Sequence, residues 1–532
     1  MKSLMKKVFA AAAAIATVFG LAATTVATAN ATGDNATLTV STTDAKFAGK
    51  TVNAYKMFSA TVSGDGQAVS YTLTDEWNPF FKNSTASGLT DVTDANINDK
   101  ANDYVSKLTG NALVAFATKA SNWAQTKANN ITVGATATVS ADASNSKYTA
   151  TFTGLDYGYY VVAVPGATLA NASSQYATLV SVHSTKVDAD IKGDLPTVDK
   201  KVQVDGTGKD ATDAKIGDTL TFTLTSTIPD MSAYDTYTFN FKDTLSKGLT
   251  FGQVKSVKVE NVTLTENTDY TVTTPTASNN NTLTVAMKDF KTKQQANAGK
   301  KITVTYTATL NENAVVGGAG NVNSAKIQYS NNPSTNGTGE SEPSKVRVFT
   351  YGFTVDKYTG DQYTDAATRL AGAKFTLAPK NGDPMSFVQV SAGSATANAV
   401  YRVAKAGETA TTTTITTPAN GKVVFEGLKN GEYTLTETKA PAGYNKLASA
   451  IGVRVDGQND GTDTTNATVT ITYDNNNGSV YDQTASNGVI PVQNKPGVVL
   501  PGTGGMGTIA FTVIGVLVIA LGVAWTLKRK NA

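Results

Sequence analysis

The chain alternates along most of its length. Short runs place an apolar residue at every second position with a polar one between, the period of a strand that buries one face. Thr37-Leu38-Thr39-Val40 opens the series, with Leu38 and Val40 inward. Val52, Ala54, Lys56 and Phe58 share a face of a second strand, and 148–152 and 158–162 read as further strands. Between 97 and 129 the period lengthens. Tyr104, Leu108, Leu113, Phe116 and Trp123 recur at helical spacing, which predicts one or two helices inserted in a mostly β region. The alternation then resumes, broken by polar turns, and predicts a mainly β chain of three successive domains, 32–186, 187–347 and 348–496. The Asp- and Asn-rich stretch 456–477 reads as a loop or hairpin excursion from the last of these.

Some strands break their own pattern. Val198, Lys200, Val202 and Val204 share a face, so one lysine stands among valines. Tyr237, Phe239, Phe241, Asp243 and Leu245 put a carboxylate among aromatics, and Asn323, Ala325, Ile327 and Tyr329 put a carboxamide on a final strand. The third segment repeats the device. Phe353, Val355 and Lys357 share a face of its first strand, Tyr433, Leu435 and Glu437 one of a penultimate strand, and Ile490, Val492 and Asn494 one of the last. A charge on an apolar face is expensive to bury alone.

Two chemistries fit a buried lysine, acid and asparagine. The inert one pairs the lysine with the carboxylate and leaves the asparagine on backbone. The reactive one is an intramolecular isopeptide bond: the amine attacks the side-chain carbonyl of asparagine and ammonia leaves. Burial favours a neutral, nucleophilic lysine and a carboxyl that holds a proton, and folding supplies proximity. A protonated acid polarises the amide and shuttles protons. The product constrains the unfolded chain as a disulfide does, worth roughly 2–4 kcal/mol.

The two ends differ from the body. Lys2, Lys6 and Lys7 precede an apolar run over 8–23 and small residues at Ala27-Thr28-Ala29 and Ala29-Asn30-Ala31, which reads as a cleaved secretory signal peptide over 1–31. At the other end, 509–527 carries no charge and is long enough to cross a bilayer, which takes roughly 20 apolar residues. Lys528-Arg529-Lys530 follows as a basic stop on the cytoplasmic side.

Composition narrows the chemistry. The chain has no cysteine, so an exported protein must reinforce itself by other means than disulfides. One histidine, His183, argues against a Ser-His-Asp triad or a multi-histidine zinc site, and with them against a turnover enzyme. Basic and acidic residues number 45 and 42, a net +3, with no basic stripe for nucleic acid. No cofactor is called for. The Asp/Asn-rich stretch offers oxygens of the kind a hard cation such as calcium favours, although such loops more often only solvate a turn.

Leu500-Pro501-Gly502-Thr503-Gly504, then the apolar span, then the basic tail resembles the sorting signal over 497–532 that sortase cleaves in Gram-positive cell-wall proteins. The stretches 194–202, 241–245 and 320–325 look like the isopeptide-forming middle domain of Gram-positive major pilins. Leu370-Ala371-Gly372-Ala373-Lys374-Phe375, with 433–444 as a pilin E-box, resembles a collagen-adhesin B-type domain. The resemblance implies tandem immunoglobulin-like sandwiches of CnaA or CnaB type. It implies a Lys200–Asn323 bond served by Asp243 and a Lys357–Asn494 bond served by Glu437. Lys201 and Asn321 are the rivals; Lys201 lies on the opposite strand face, whereas Asn321 shares the face of Asn323.

It implies further that Thr503 is captured by sortase and passed to a lysine of the next subunit. The family places that lysine in a YPK-like motif, which this chain lacks; Lys192 is the choice and Lys186 the alternative. The implied product is a backbone pilin. Its partners would be pilus-specific and housekeeping sortases, copies of itself, minor pilins, peptidoglycan and a host or bacterial receptor that the sequence does not name. The competing reading is a wall-anchored adhesin that acts as a monomer.

Overall fold

The computed structural model describes residues 35–530 except 64–67, 143–146, 168–176, 191–194, 233, 332–336, 362–364, 459–460, 462–466, 475–480 and 498–505. The signal-peptide reading, Lys192 and the LPGTG motif therefore lie outside the described residues. The chain forms two units. One runs to Tyr351 and takes in Gly427–Asn430 and Gly457–Val469; the other holds the rest.

The first unit begins with two β-sheets. One orders its strands 140–142, 147–155, 36–42 and 186–190; the other orders 69–73, 51–62, 158–163 and 177–182, with 135–138 also on 51–62. The opening strand alternates as expected, with Ala36, Leu38 and Val40 buried. The second strand does not. Its register shifts between Lys56 and Phe58: Lys56, opposite Tyr160, keeps the face of Ala54 and meets Asp156 at 2.9 Å, while Phe58, opposite Tyr159, crosses to the face of Met57, where both are buried. A bulge inserts one residue and swaps the faces beyond it, which a period of two does not anticipate.

The helical insertion is Ile97–Ser106 and Gly110–Gln125, preceded by the short helices Asn78–Lys82 and Ser84–Ser87 that the spacing did not reveal. Pro79 near the first turn of Asn78–Lys82 suits a helix start. These helices close over an aromatic cluster. Phe80 lies 5.5 Å from Trp77, 5.1 Å from Phe81, 5.7 Å from Phe116 and 5.6 Å from Trp123, ring centre to ring centre, mostly edge to face.

The same unit continues into a second sandwich. One sheet orders strands 207–209, 199–204, 219–227, 301–310, 249–259 and 262–263. The facing sheet orders 211–213, 344–349, 321–330, 239–245, 282–287 and 270–273, with 338–340 on 321–330. Asn323 is thus not on the final strand. Ser344–Phe349 comes after it and pairs beside it, Val346 opposite Asn323.

The second unit is another sandwich. One sheet orders 411–412, 387–391, 399–403, 422–428, 351–358 and 489–493; the other orders 415–416, 374–379, 431–439, 451–457, 469–473 and 483–484. The Glu437 strand is followed by four more strands, so it is not penultimate. Of the acidic, Asn-rich stretch, the described residues overlap the neighbouring strands Ile451–Gly457 and Val469–Tyr473, and most of what joins those strands lies outside the described residues. Met506–Lys530 is a single helix, of which Ile509–Lys530 is long and apolar enough to cross a membrane.

Phe80→Ala should cost about 3–5 kcal/mol, the cavity left by a buried aromatic. Trp77 and Trp123 both belong to this cluster, and the remaining tryptophan is Trp525 in the C-terminal helix. Urea unfolding of residues 32–503 followed by tryptophan fluorescence should therefore report the loss directly.

Candidate functional sites: two buried lysine, acid and asparagine clusters

In the middle sandwich, the strand Asp199–Val204 carries Lys200 inward and the strand Phe239–Leu245 of the facing sheet carries Asp243 inward. Both alternate strictly there, and both residues have no exposed surface. The Lys200 amine and Asp243 Oδ2 form an ion pair. Asn323, equally buried, comes from the neighbouring strand, where Leu245 is its register partner.

A fourth side chain joins them. Tyr306 Oη accepts from Lys200 Nζ at 2.9 Å and from Asn323 Nδ2 at 2.6 Å, and donates to Asp243 Oδ2 at 2.6 Å. Its ring stacks on Phe222 at 5.3 Å, and the Lys200 amine lies 5.2 Å from the centre of each ring. Sequence reasoning missed Tyr306. Val304, Tyr306 and Ala308 alternate as ordinary core positions, and a tyrosine there reads as packing. The available signal was the phenol itself, since a buried tyrosine hydroxyl needs a partner.

Burial pushes the Lys200 amine down to about 8, against the opposing pull of Asp243. The Tyr306 phenol goes well above its ordinary range, through burial first and then the charge and hydrogen bond of Asp243. Asp243 Oδ1 and Asn323 Oδ1 are buried without a hydrogen-bond partner.

The rivals are occupied elsewhere. Lys201 is part exposed and pairs with Asp210 at 2.6 Å. Asn321 braces a loop: its Oδ1 accepts from Val315 N at 2.9 Å, and its Nδ2 donates to Val315 O at 3.2 Å and Val348 O at 3.1 Å. Gly248 backs so closely onto that carboxamide that a Cβ there would collide with it.

The C-terminal sandwich repeats the cluster with different wiring. Its first strand, Tyr351–Tyr358, pairs in parallel with its last, Val489–Gln493, with Val492 opposite Lys357 and Asn494 N donating to Tyr358 O at 3.0 Å. Lys357 and Asn494 therefore enter the core side by side. Lys357 Nζ lies 3.5 Å from Glu437 Oε1 and donates to Val492 O at 3.1 Å. Glu437 Oε2 accepts from Asn494 Nδ2 at 3.0 Å and from Leu447 N at 2.8 Å. Burial again pushes the lysine down to about 8.

Here too a carboxylate oxygen, Glu437 Oε1, and the amide oxygen, Asn494 Oδ1, lack a hydrogen-bond partner. Such orphaned acceptors are costly, and a carboxyl that had taken up the lysine proton would have a donor to offer. Asp356, next in sequence to Lys357, is the inert contrast: its carboxylate meets Arg369 Nε at 2.8 Å.

Lys186, the alternative acceptor, is exposed on the strand Lys186–Asp190, which pairs in parallel with the opening strand. Among the described residues, no group of three or more His, Asp or Glu is placed to hold a metal ion.

Residues 216–333 match the family model of a Gram-positive pilin backbone subunit 2, Cna-B-like domain, and 361–470 match that of a Prealbumin-like fold domain. Residues 492–532 match the LPXTG cell wall anchor motif. The chain belongs to the Gram-positive backbone pilins. The first match takes in Asp243, Tyr306 and Asn323, and the second Glu437. The third makes this pilin a cell-wall-anchored surface protein.

The trypsin-resistant surface T6 protein of Streptococcus pyogenes serotype M6 is 26% identical over 281 residues, 48% of the pilin and 44% of the relative. The match thus spans less than half the length of that relative. The solved T6 backbone pilin of serotype M6 S. pyogenes superposes with a TM-score of 0.47 at 18% identity, covering 88% of this chain and 99% of that one. The full-length major pilin SpaD of Corynebacterium diphtheriae gives 0.40 at 20% identity, covering 88% and 100%.

An amine that stays in the core makes stability depend on pH. In an Asn323→Ala chain Lys200 keeps its free amine. Its folded pKa lies below the unfolded value, so between about 8 and 10.5 the unfolded state binds more protons and stability rises with pH. The gain should be roughly 2–4 kcal/mol. Urea midpoints at pH 7 and pH 10 should diverge in this chain and much less in one that also carries Lys200→Met.

Proposed function

We propose that this chain is the structural subunit of a pilus that sortase polymerises and anchors to the cell wall, and that its domains lock themselves with isopeptide bonds. The observation that carries the reading is the burial, in each of two sandwiches, of an amine, a carboxyl and a carboxamide in one hydrogen-bonded cluster, closed in the middle sandwich by Tyr306. Lys200 joins Asn323 with Asp243 as the acid–base group, and Lys357 joins Asn494 with Glu437 in that role. In each case the new C–N bond replaces the bond to the amide nitrogen, which leaves as ammonia. The lysine proton passes through the carboxyl. The depressed lysines favour the nucleophilic form, and the fold holds the partners together before any reaction.

Export comes first, on a signal peptide over 1–31, and the C-terminal helix then holds the chain at the membrane. A pilus-specific sortase takes Thr503 as a thioester and transfers it to Lys192 of the next subunit, with Lys186 as the alternative. A housekeeping sortase then joins the base to peptidoglycan, and minor pilins share the fibre. The fibre supports adhesion to host or other cells. The absence of a YPK-like motif around these lysines keeps a second reading, a wall-anchored adhesin that is never polymerised.

Two measurements test the proposal. The intact mass of the 32–503 product should fall short of its sequence mass by two ammonias, and Asn323→Ala or Asn494→Ala should each restore one. A full-mass product would remove the self-locking chemistry. Wall extracts should show a ladder of covalent multimers that Lys192→Ala abolishes and Lys186→Ala leaves intact. Loss of the ladder only in the Lys186 variant would move the acceptor there, and no ladder in the parent chain would favour the monomeric adhesin.

A further inference from the structure

The two clusters solve the same geometric problem with different parts. In the C-terminal sandwich the carboxyl touches the amide it must act on, since Glu437 Oε2 accepts from Asn494 Nδ2 at 3.0 Å. In the middle sandwich the acid is an aspartate, one methylene shorter. There the amide nitrogen of Asn323 meets Tyr306 Oη at 2.6 Å, and Tyr306 Oη meets Asp243 Oδ2 at 2.6 Å. The same hydroxyl lies 2.9 Å from the attacking Lys200 Nζ. It therefore touches the acid and both nitrogens that exchange places on the asparagine carbonyl.

We propose that Tyr306 is a catalytic residue of the middle site, a proton relay that lets a short carboxyl serve an amide beyond its reach. The inference rests on the isopeptide reading above. The sequence of steps closes. Lys200 gives one proton to Asp243, and its neutral amine attacks Asn323 Cγ. As the C–N bond to the old amide nitrogen weakens, Tyr306 donates its hydroxyl proton to that nitrogen and is refilled by Asp243. Ammonia leaves. The second proton lost by the lysine nitrogen returns to Asp243, so the carboxyl ends protonated and the phenol unchanged. A phenol whose proton is held tightly, as burial enforces here, suits a relay that is never left ionised.

Tyr306 is well placed to be rigid. It sits on Lys301–Leu310, its register partner on the adjacent strand is Phe222, and the two rings stack at 17°. Tyr306→Phe keeps the ring and the stack and removes only the hydroxyl.

The test uses the full-length chain in detergent, refolded from denaturant, with each bond followed separately as its cross-linked peptide. In Tyr306→Phe the Lys200–Asn323 peptide should form at least about 10-fold more slowly, while Lys357–Asn494 keeps its parental rate. A purely packing role would not produce that split in a chain whose protease resistance is unchanged. The double variant Tyr306→Phe/Asp243→Glu lengthens the acid to the reach that Glu437 has. It should recover much of the lost rate, and it decides the matter should the single variant fail to fold.

Tyr306→Phe that forms the middle bond at the parental rate overturns the proposal. So does an unfolded single variant beside a folded double variant that makes no bond. If the parent chain yields neither cross-linked peptide, the isopeptide reading itself fails, an outcome distinct from either.

Discussion

Everything distinctive in this pilin follows from placing an ammonium group where water cannot reach it. A buried lysine with no partner is costly and tends to lose its proton; paired with a carboxylate it stays expensive, because desolvating both charges offsets most of their attraction. Lys200 with Asp243 and Lys357 with Glu437 are such pairs, each fully buried. A buried hydrocarbon side chain would stabilise the fold more simply. The cost makes sense when the pair is an intermediate: conversion of amine and carboxamide to a secondary amide would remove the charge and leave the carboxyl protonated, with a donor for an orphaned acceptor.

The strand topology gives such a bond mechanical meaning. In the C-terminal sandwich the first and last strands run parallel and adjacent, so chain enters that sheet at one end and leaves at the other. The first sandwich pairs its first and last strands in the same way. Tension along a fibre would shear these strands past one another. The proposed Lys357–Asn494 amide would join the two strands under load. The middle cluster works across the sandwich instead, since Lys200 and Asn323 belong to facing sheets. There the amide would resist separation of the layers.

The segment that precedes the sorting motif is also tied down. Beyond the Glu437 strand the chain turns back, Leu447 N reaching Glu437 and Asn445 O accepting from Asn494. Asn445 N donates to Lys495 O at 3.0 Å and Gly497 N to Gly443 O at 2.8 Å. The acid, the loop after it and the last residues before the wall motif form one hydrogen-bonded piece. Glu437 is thereby linked both to the buried Asn494 and to the chain's exit.

What the sequence determined by itself was whatever depends on period and on local chemistry. A period of two exposes one face of each strand, so Lys200, Asp243, Lys357, Glu437 and Asn494 were legible as polar residues on apolar faces, and the sheet burial agrees. The LPGTG motif, the apolar helix and its basic end are contiguous, and contiguous signals need no fold to be read. Tertiary structure decided what depends on which strands meet. The bulge after Lys56 moved Phe58 to the face opposite the one alternation gives it, and Ser344–Phe349 displaced Asn323 from the last strand. Asn321 and Asn323 share a face and differ only in their neighbours: one has backbone within reach, the other has Tyr306. Tyr306 itself was invisible because a tyrosine on an inward face has the same pattern whether it fills space or holds a proton. Only the partners of its hydroxyl distinguish the two, and those partners come from three other strands.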